Sequence, residues 1–102
     1  MAAELIIAPE ASDDIAEAYA WHESRRSRRF GLGEEFLSWV DACIERIRRA
    51  PMMYATVFKN YRRALPRRFP YAIFYEYADH AVAVYAVFHA ASDPAKWVRR
   101  LS

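Results

Sequence analysis

Glycine is nearly missing from this chain: Gly31 and Gly33 are the only two in 102 residues. A dinucleotide fingerprint needs three glycines, and a phosphate loop needs two set wider apart, so both nucleotide-binding loops are excluded. Cysteine occurs once, at Cys43, which rules out an intrachain disulfide and fits a reducing, cytoplasmic compartment. It falls in a helical apolar pattern and reads as a small buried hydrophobe. Long apolar runs are missing too. None approaches the roughly 18 residues of a membrane-spanning helix, and Met1-Ala2-Ala3-Glu4 lacks the basic-then-apolar start of a secretion signal. The histidines, His22, His80 and His89, fall in a helix, a turn and a strand end without metal-ligand spacing, so no metal or other cofactor is expected. No serine stands in a nucleophile elbow, and no cysteine-histidine pairing is evident.

What is present is apolar residue content of 55%, ample for the core of one domain over residues 1–102. Two aromatic and β-branched runs dominate the last third. Phe69-Pro70-Tyr71-Ala72-Ile73-Phe74-Tyr75-Glu76-Tyr77 and Ala81–His89 flank a polar break of hairpin length at Ala78-Asp79-His80-Ala81. On the first strand Tyr71, Ile73, Tyr75 and Tyr77 share one face, and Ala72, Phe74 and Glu76 the other. On the second, strict alternation puts Val82, Val84, Ala86 and Phe88 together, opposite Ala83, Tyr85, Val87 and His89. Neither run alternates apolar with polar, so both read as central strands buried on two faces.

Upstream elements must cover that sheet. Glu4–Ala8 reads as a short first strand. Pro9 suits a helix's first turn, and Glu10, Asp13 and Asp14 complement its dipole. Ala11, Ile15, Ala18, Tyr19 and His22 form a buried helical stripe, with the remaining carboxylates on a solvated face. Arg25, Arg26, Arg28 and Arg29 then read as a solvated helix end, or as a nucleic-acid or protein contact. Gly31 and Gly33 punctuate a loop. A second helix carries Phe36, Leu37, Val40, Cys43, Ile44 and Ile47 and stops at Pro51. Thr56–Pro66 reads as one edge strand, with Tyr61 and Leu65 inward and Arg62 and Arg63 among its charges. The tail holds a short helical turn after Pro94, and Trp97 either packs it onto the sheet or stays exposed as an interface anchor. The expected architecture is α+β, in the order β-α-α-β-β-β, with an N-terminal helical hairpin packed on a small, mainly antiparallel sheet. Tyr19, Phe36, Val40, Ile44, Ile73, Tyr75, Val84 and Phe88 are the expected core.

Net charge is only +2, yet residues 1–54 hold seven arginines against ten acids, and residues 55–102 eight cations against three. The sheet half is therefore the candidate surface for an anionic partner, either nucleic acid or an acidic protein segment. Its chemistry gathers in Arg62, Arg63, Arg67 and Arg68 before the hairpin, with His89 ending the last strand. Arginines grip phosphates and an imidazole moves a proton, which suffices for metal-free phosphodiester cleavage. The same residues read equally as a charged, solubilising edge and a strand-end histidine bonded to backbone.

At Phe69-Pro70-Tyr71-Ala72-Ile73-Phe74-Tyr75, with Val87-Phe88-His89, Asp93-Pro94 and Trp97, the chain resembles the ParE/RelE superfamily of type II toxins, in its ParE-like branch. The likeness runs over nearly the whole chain, including Pro9, Pro51 and Arg63. It implies a bacterial growth-inhibiting toxin neutralised by a cognate antitoxin, ParD-like, whose acidic C-terminal segment folds onto the basic half. RelE-like members cut mRNA on the ribosome without metal, using basic residues and often a C-terminal tyrosine; ParE-like members poison DNA gyrase. The resemblance maps Arg63 and His89 onto family positions and makes them the catalytic candidates of the ribonuclease alternative. It makes Arg62, Arg63, Arg67, Arg68, His89, Asp93, Trp97, Arg99 and Arg100 contact residues for target or antitoxin. Where many members carry paired arginines after the histidine, this chain has Ala91 and Ser92. Each lost charge-assisted contact is worth about 1.5–3 kcal/mol, which favours gyrase inhibition over mRNA cleavage. A toxin fold that binds its antitoxin without remaining toxicity is the third expectation.

Overall fold

The computed structural model describes residues 2–24 and 31–102. The expected arginine run Arg25, Arg26, Arg28 and Arg29 lies outside the described residues. Strand β1 (Glu4–Ile7) leads into α1 (Pro9–Ser24) and α2 (Leu32–Arg49). Four strands follow, β2 (Thr56–Phe58), β3 (Tyr61–Ala64), β4 (Tyr71–Ala78) and β5 (Ala81–His89), and then α3 (Pro94–Leu101). The sheet order is β1-β5-β4-β3-β2, with β1 parallel to β5 and every other pair antiparallel. The α+β class and the helical hairpin on a mainly antiparallel sheet match the expectation.

The β4–β5 hairpin closes through Asp79 and His80, whose φ values of 51° and 62° are both left-handed. That is the tight two-residue turn whose twist matches paired strands. Next to it the expected pattern fails once. Phe74 pairs with Ala86 but Tyr75 with Val84, so Tyr85 is an extra residue on β5. This bulge resets the alternation. Val82, Val84 and Val87 face the α1–α2 hairpin, whereas Tyr85, Ala86 and Phe88 face the opposite way. Phe88 is buried as expected, but not on the side of Val84.

Thr56–Pro66 is not one strand. Lys59, at φ 50°, turns the chain so that three-residue β2 takes the edge while β3, with its arginines, sits inside the sheet. Ala64, not Leu65, is the inward residue; Leu65 is 51% exposed. The tail is longer and more ordered than a single turn. Asp93 caps α3 by accepting from the Ala95 N–H at 2.9 Å, and Trp97 stacks on Phe74 with centroids 5.1 Å apart. Trp97 therefore packs the tail onto the sheet. The result is three layers: α1 and α2 over one face, around Phe36, Ile44, Ile73 and Tyr75, and α3 over the other, around Phe74, Phe88 and Leu101.

Within the larger core, Tyr75 donates its hydroxyl to the Pro51 carbonyl at 2.6 Å, and burial pushes its phenol up to about 12. Tyr19 is only half-buried, its hydroxyl donating to Glu34 at 3.2 Å. Gly33 lies inside the first turn of α2 rather than in a loop. Its N–H donates to Glu23 Oε2 at 2.8 Å, and an added Cβ would stand 2.6 Å from that side chain. The Glu23 carboxylate thus sits against the positive end of α2, so close that a Cβ at position 33 would make the Glu23 side chain shift.

His22 is buried among the rings of Phe36, Phe69 and Tyr71, and neither of its nitrogens has a hydrogen-bond partner among the described residues. Burial holds its pKa below the usual imidazole value. The unfolded chain therefore binds a proton more readily, and stability falls as pH drops below about 6.5. His22→Phe should remove that acid-side loss, leaving thermal midpoints nearly flat between pH 5 and 7; an unchanged slope would place the proton elsewhere. Ile73 is fully buried, and Ile73→Ala should cost about 2–5 kcal/mol in urea unfolding.

Candidate functional site

Strand β5 outruns its partner. Pairing with β1 stops at Ile7↔Val84, because Pro9 opens α1 and Ala8 makes the last bond, to the Val84 carbonyl at 2.9 Å. Side chains take over the exposed edge beyond. Asp14 Oδ2, reaching down from α1, accepts the Val87 N–H at 3.0 Å. Arg100, reaching round from α3, donates to the Tyr85 carbonyl at 3.1 Å and to both Asp14 oxygens at 2.9 and 3.1 Å. The fork-shaped pair lies mostly out of solvent, and its hydrogen bonds raise the Arg100 pKa.

A cleft of about 440 Å³ opens beside this pair, between α1, the end of β5 and α3. Trp21 and Tyr71 give it aromatic surface; Glu17, Lys96, Arg100 and His89 give it charge and hydrogen-bonding groups. Burial, then the Glu17 charge, raises the Tyr71 phenol. The Lys96 ammonium and the Arg100 guanidinium each lie 4.7 Å from the Phe88 ring centre. His89 is exposed, and its Nδ1 accepts the Ala91 N–H at 3.1 Å. That bond puts the neutral ring's proton on Nε2. The other ring nitrogen is then a hydrogen-bond donor.

The other anticipated residues do not gather here. Arg62 pairs with Tyr75, and Arg63 with Phe74, so these neighbours project to opposite faces. Arg62 is spent on backbone, donating to the Met52 and Tyr54 carbonyls at 3.3 and 2.6 Å. Arg68 bonds Glu35. Arg67 is exposed, and its carbonyl accepts the Trp39 indole N–H at 2.6 Å. Asp93 serves as the α3 cap, Trp97 packs half-buried on Phe74, and Arg99 stands exposed on α3. His89 pairs with Tyr71 on the hairpin side of the sheet, and Arg63 lies with Phe74 on the α3 side. Of the expected residues, only His89 and Arg100 line the cleft. Asp14, Glu17, Trp21 and Tyr71 were not anticipated as site residues, although Asp14 stood out in the sequence as one of the acids near the positive end of α1. Among the described residues, no group of three or more His, Cys, Asp or Glu could hold a metal.

The family model of the ParE toxin of type II toxin–antitoxin systems, parDE, matches residues 5–94. The chain belongs to that family. It is 32% identical over 82 residues to Toxin ParE2 of Mycobacterium tuberculosis, in strains H37Rv and CDC 1551, covering 80% of this ParE chain and 76% of the relative. Its fold is similar to a solved chain of the chromosomal ParDE system of P. aeruginosa, with a TM-score of 0.62 over 85% of this chain and 95% of that one. At 13% identity the second likeness speaks for fold alone. As a ParE toxin of a parDE system, the protein has an antitoxin as its partner.

Arg100→Ala would leave the Asp14 carboxylate partly buried with a single donor. It should cost about 2–4 kcal/mol, discounted from a fully buried pair for the remaining exposure, and Arg100→Lys should recover only part of it. Chemical denaturation at two salt concentrations would check this, since a shielded pair changes little with salt.

Proposed function

We infer that this toxin acts by protein contact, inhibiting DNA gyrase in the cytoplasm, and that it cuts no RNA. The supporting observation is the separation of Arg63 from His89. They lie on opposite sheet faces, three residues apart along β4 and one strand to either side of it, roughly 10 Å in each direction. One scissile phosphate cannot sit between them. A phosphate placed at His89 instead would meet Glu17 and the Asp14–Arg100 pair, with Lys96 as the nearby cation that no carboxylate among the described residues engages. An aromatic cleft of mixed charge suits a protein side chain better than an anionic backbone. Antitoxin binding would neutralise the toxin by covering the surfaces it uses.

Induced expression of the free chain, with DNA and protein synthesis pulse-labelled in parallel, tests this reading. DNA synthesis should fall first, and purified toxin should inhibit gyrase supercoiling. His89→Ala should weaken inhibition by about tenfold or less, as one contact among several. Early arrest of protein synthesis, abolished outright by His89→Ala, would instead assign the toxin to ribosome-dependent mRNA cleavage.

A further inference from the structure

Several arginines in this fold are already bound. Arg48 pairs with Glu45, Arg68 with Glu35 and Arg100 with Asp14, while Arg62 is spent on carbonyls. Arg46 and Arg67 are different: both are exposed, and neither guanidinium has a carboxylate partner among the described residues. They flank a second cavity of about 430 Å³, between α2 and the segments on either side of the β2–β3 hairpin. It shares no lining residue with the His89 cleft.

The walls of this cavity are set in advance. Trp39 is fixed by its indole bond to the Arg67 carbonyl and by packing against Phe69. Tyr54 is held by Arg62 on its carbonyl and by an edge-to-face contact with Tyr75, centroids 6.4 Å apart. Cys43 and Ala42 add small side chains from α2. Leu65 lies on the lining yet stays half exposed, and the connector that supplies Tyr54 also exposes Met52 and Met53. Preformed walls spare a partner the cost of ordering them. The volume sits at the low end of the roughly 300–1,000 Å³ typical of ligand pockets, enough for one bulky side chain. Two cations are too few for a nucleic-acid track, where affinity grows with each neutralised phosphate.

We propose that this cavity is the anchor site for the antitoxin: an acidic segment inserts one large apolar side chain beside Trp39 and Tyr54 and sets carboxylates against Arg46 and Arg67. The inference rests on the chain's place in a parDE pair and not on gyrase as the target. The antitoxin's anchor and the target's cleft are then separate, and neutralisation needs a segment long enough to reach from its anchor on α2 and cover the His89 cleft as well.

The test measures the affinity of the purified antitoxin of this parDE pair for folded toxin variants, each checked by thermal melting. Arg46→Glu with Arg67→Glu should weaken binding by roughly 100-fold. Ala42→Phe, which fills the cavity from an exposed position, should weaken it by at least about tenfold. Arg49→Glu with Lys59→Glu makes the same change in net charge away from the cavity and should leave affinity within about twofold. Equal losses in the two charge variants would reduce the effect to general electrostatics and overturn the proposal. Full affinity in Ala42→Phe would overturn it as well. A free chain that arrests no growth would count against the gyrase reading while leaving this comparison intact.

Discussion

The bond between Asp14 and Arg100 ties three layers at one point. A helix from the start of the chain and a helix from its end reach the same stretch of β5, where backbone groups would otherwise face solvent without a strand partner. The carboxylate takes the Val87 N–H and the guanidinium takes the Tyr85 carbonyl. A charged pair thereby stands in for a missing strand, and it blunts an edge that could recruit another chain. Because the two residues must also satisfy each other, the positions of α1 and α3 cannot vary independently. The cleft between them inherits that rigidity.

Period-two geometry has a further effect on this surface. A run of neighbouring arginines in a strand looks like a cluster in sequence, but a strand sends successive side chains to opposite sides. Arg62 goes to hold the connector under the larger core, and Arg63 goes to the α3 face. The basic excess of the C-terminal half is therefore dispersed. Several members become internal ties, and the cations left open lie apart, near α2 and along α3.

Much of the fold was readable because it is written locally. Pro9, the stripe from Ala11 to His22, the heptad-like apolar spacing of α2 and the Asp79-His80 turn each specify an element from adjacent residues. Three features were not readable, for related reasons. The bulge at Tyr85 changes which face Phe88 joins, yet nothing in a uniformly apolar run marks where an extra residue falls. The turn at Lys59 lacks glycine, so a hairpin of two very short strands passes for one. Asp14 and Arg100 are 86 residues apart, beyond any local pattern. The site was legible only at His89 and Arg100, since the cleft is built by a contact between chain ends. The family resemblance could name candidate contact positions without showing which had been turned inward.

The parallel pairing of β1 with β5 has a consequence for the birth of the protein. Glu4 finds its partner at Ala81, so the first strand of the sheet must wait for the last to be made. The β4–β5 hairpin and the α1–α2 pair can form from near neighbours, whereas β1 docking requires β5 and the latch at Asp14 requires α3. A nascent toxin interrupted before α3 lacks one wall of its cleft. Translation thus delays the finished surface until α3 has emerged, and a product truncated before α3 cannot assemble it.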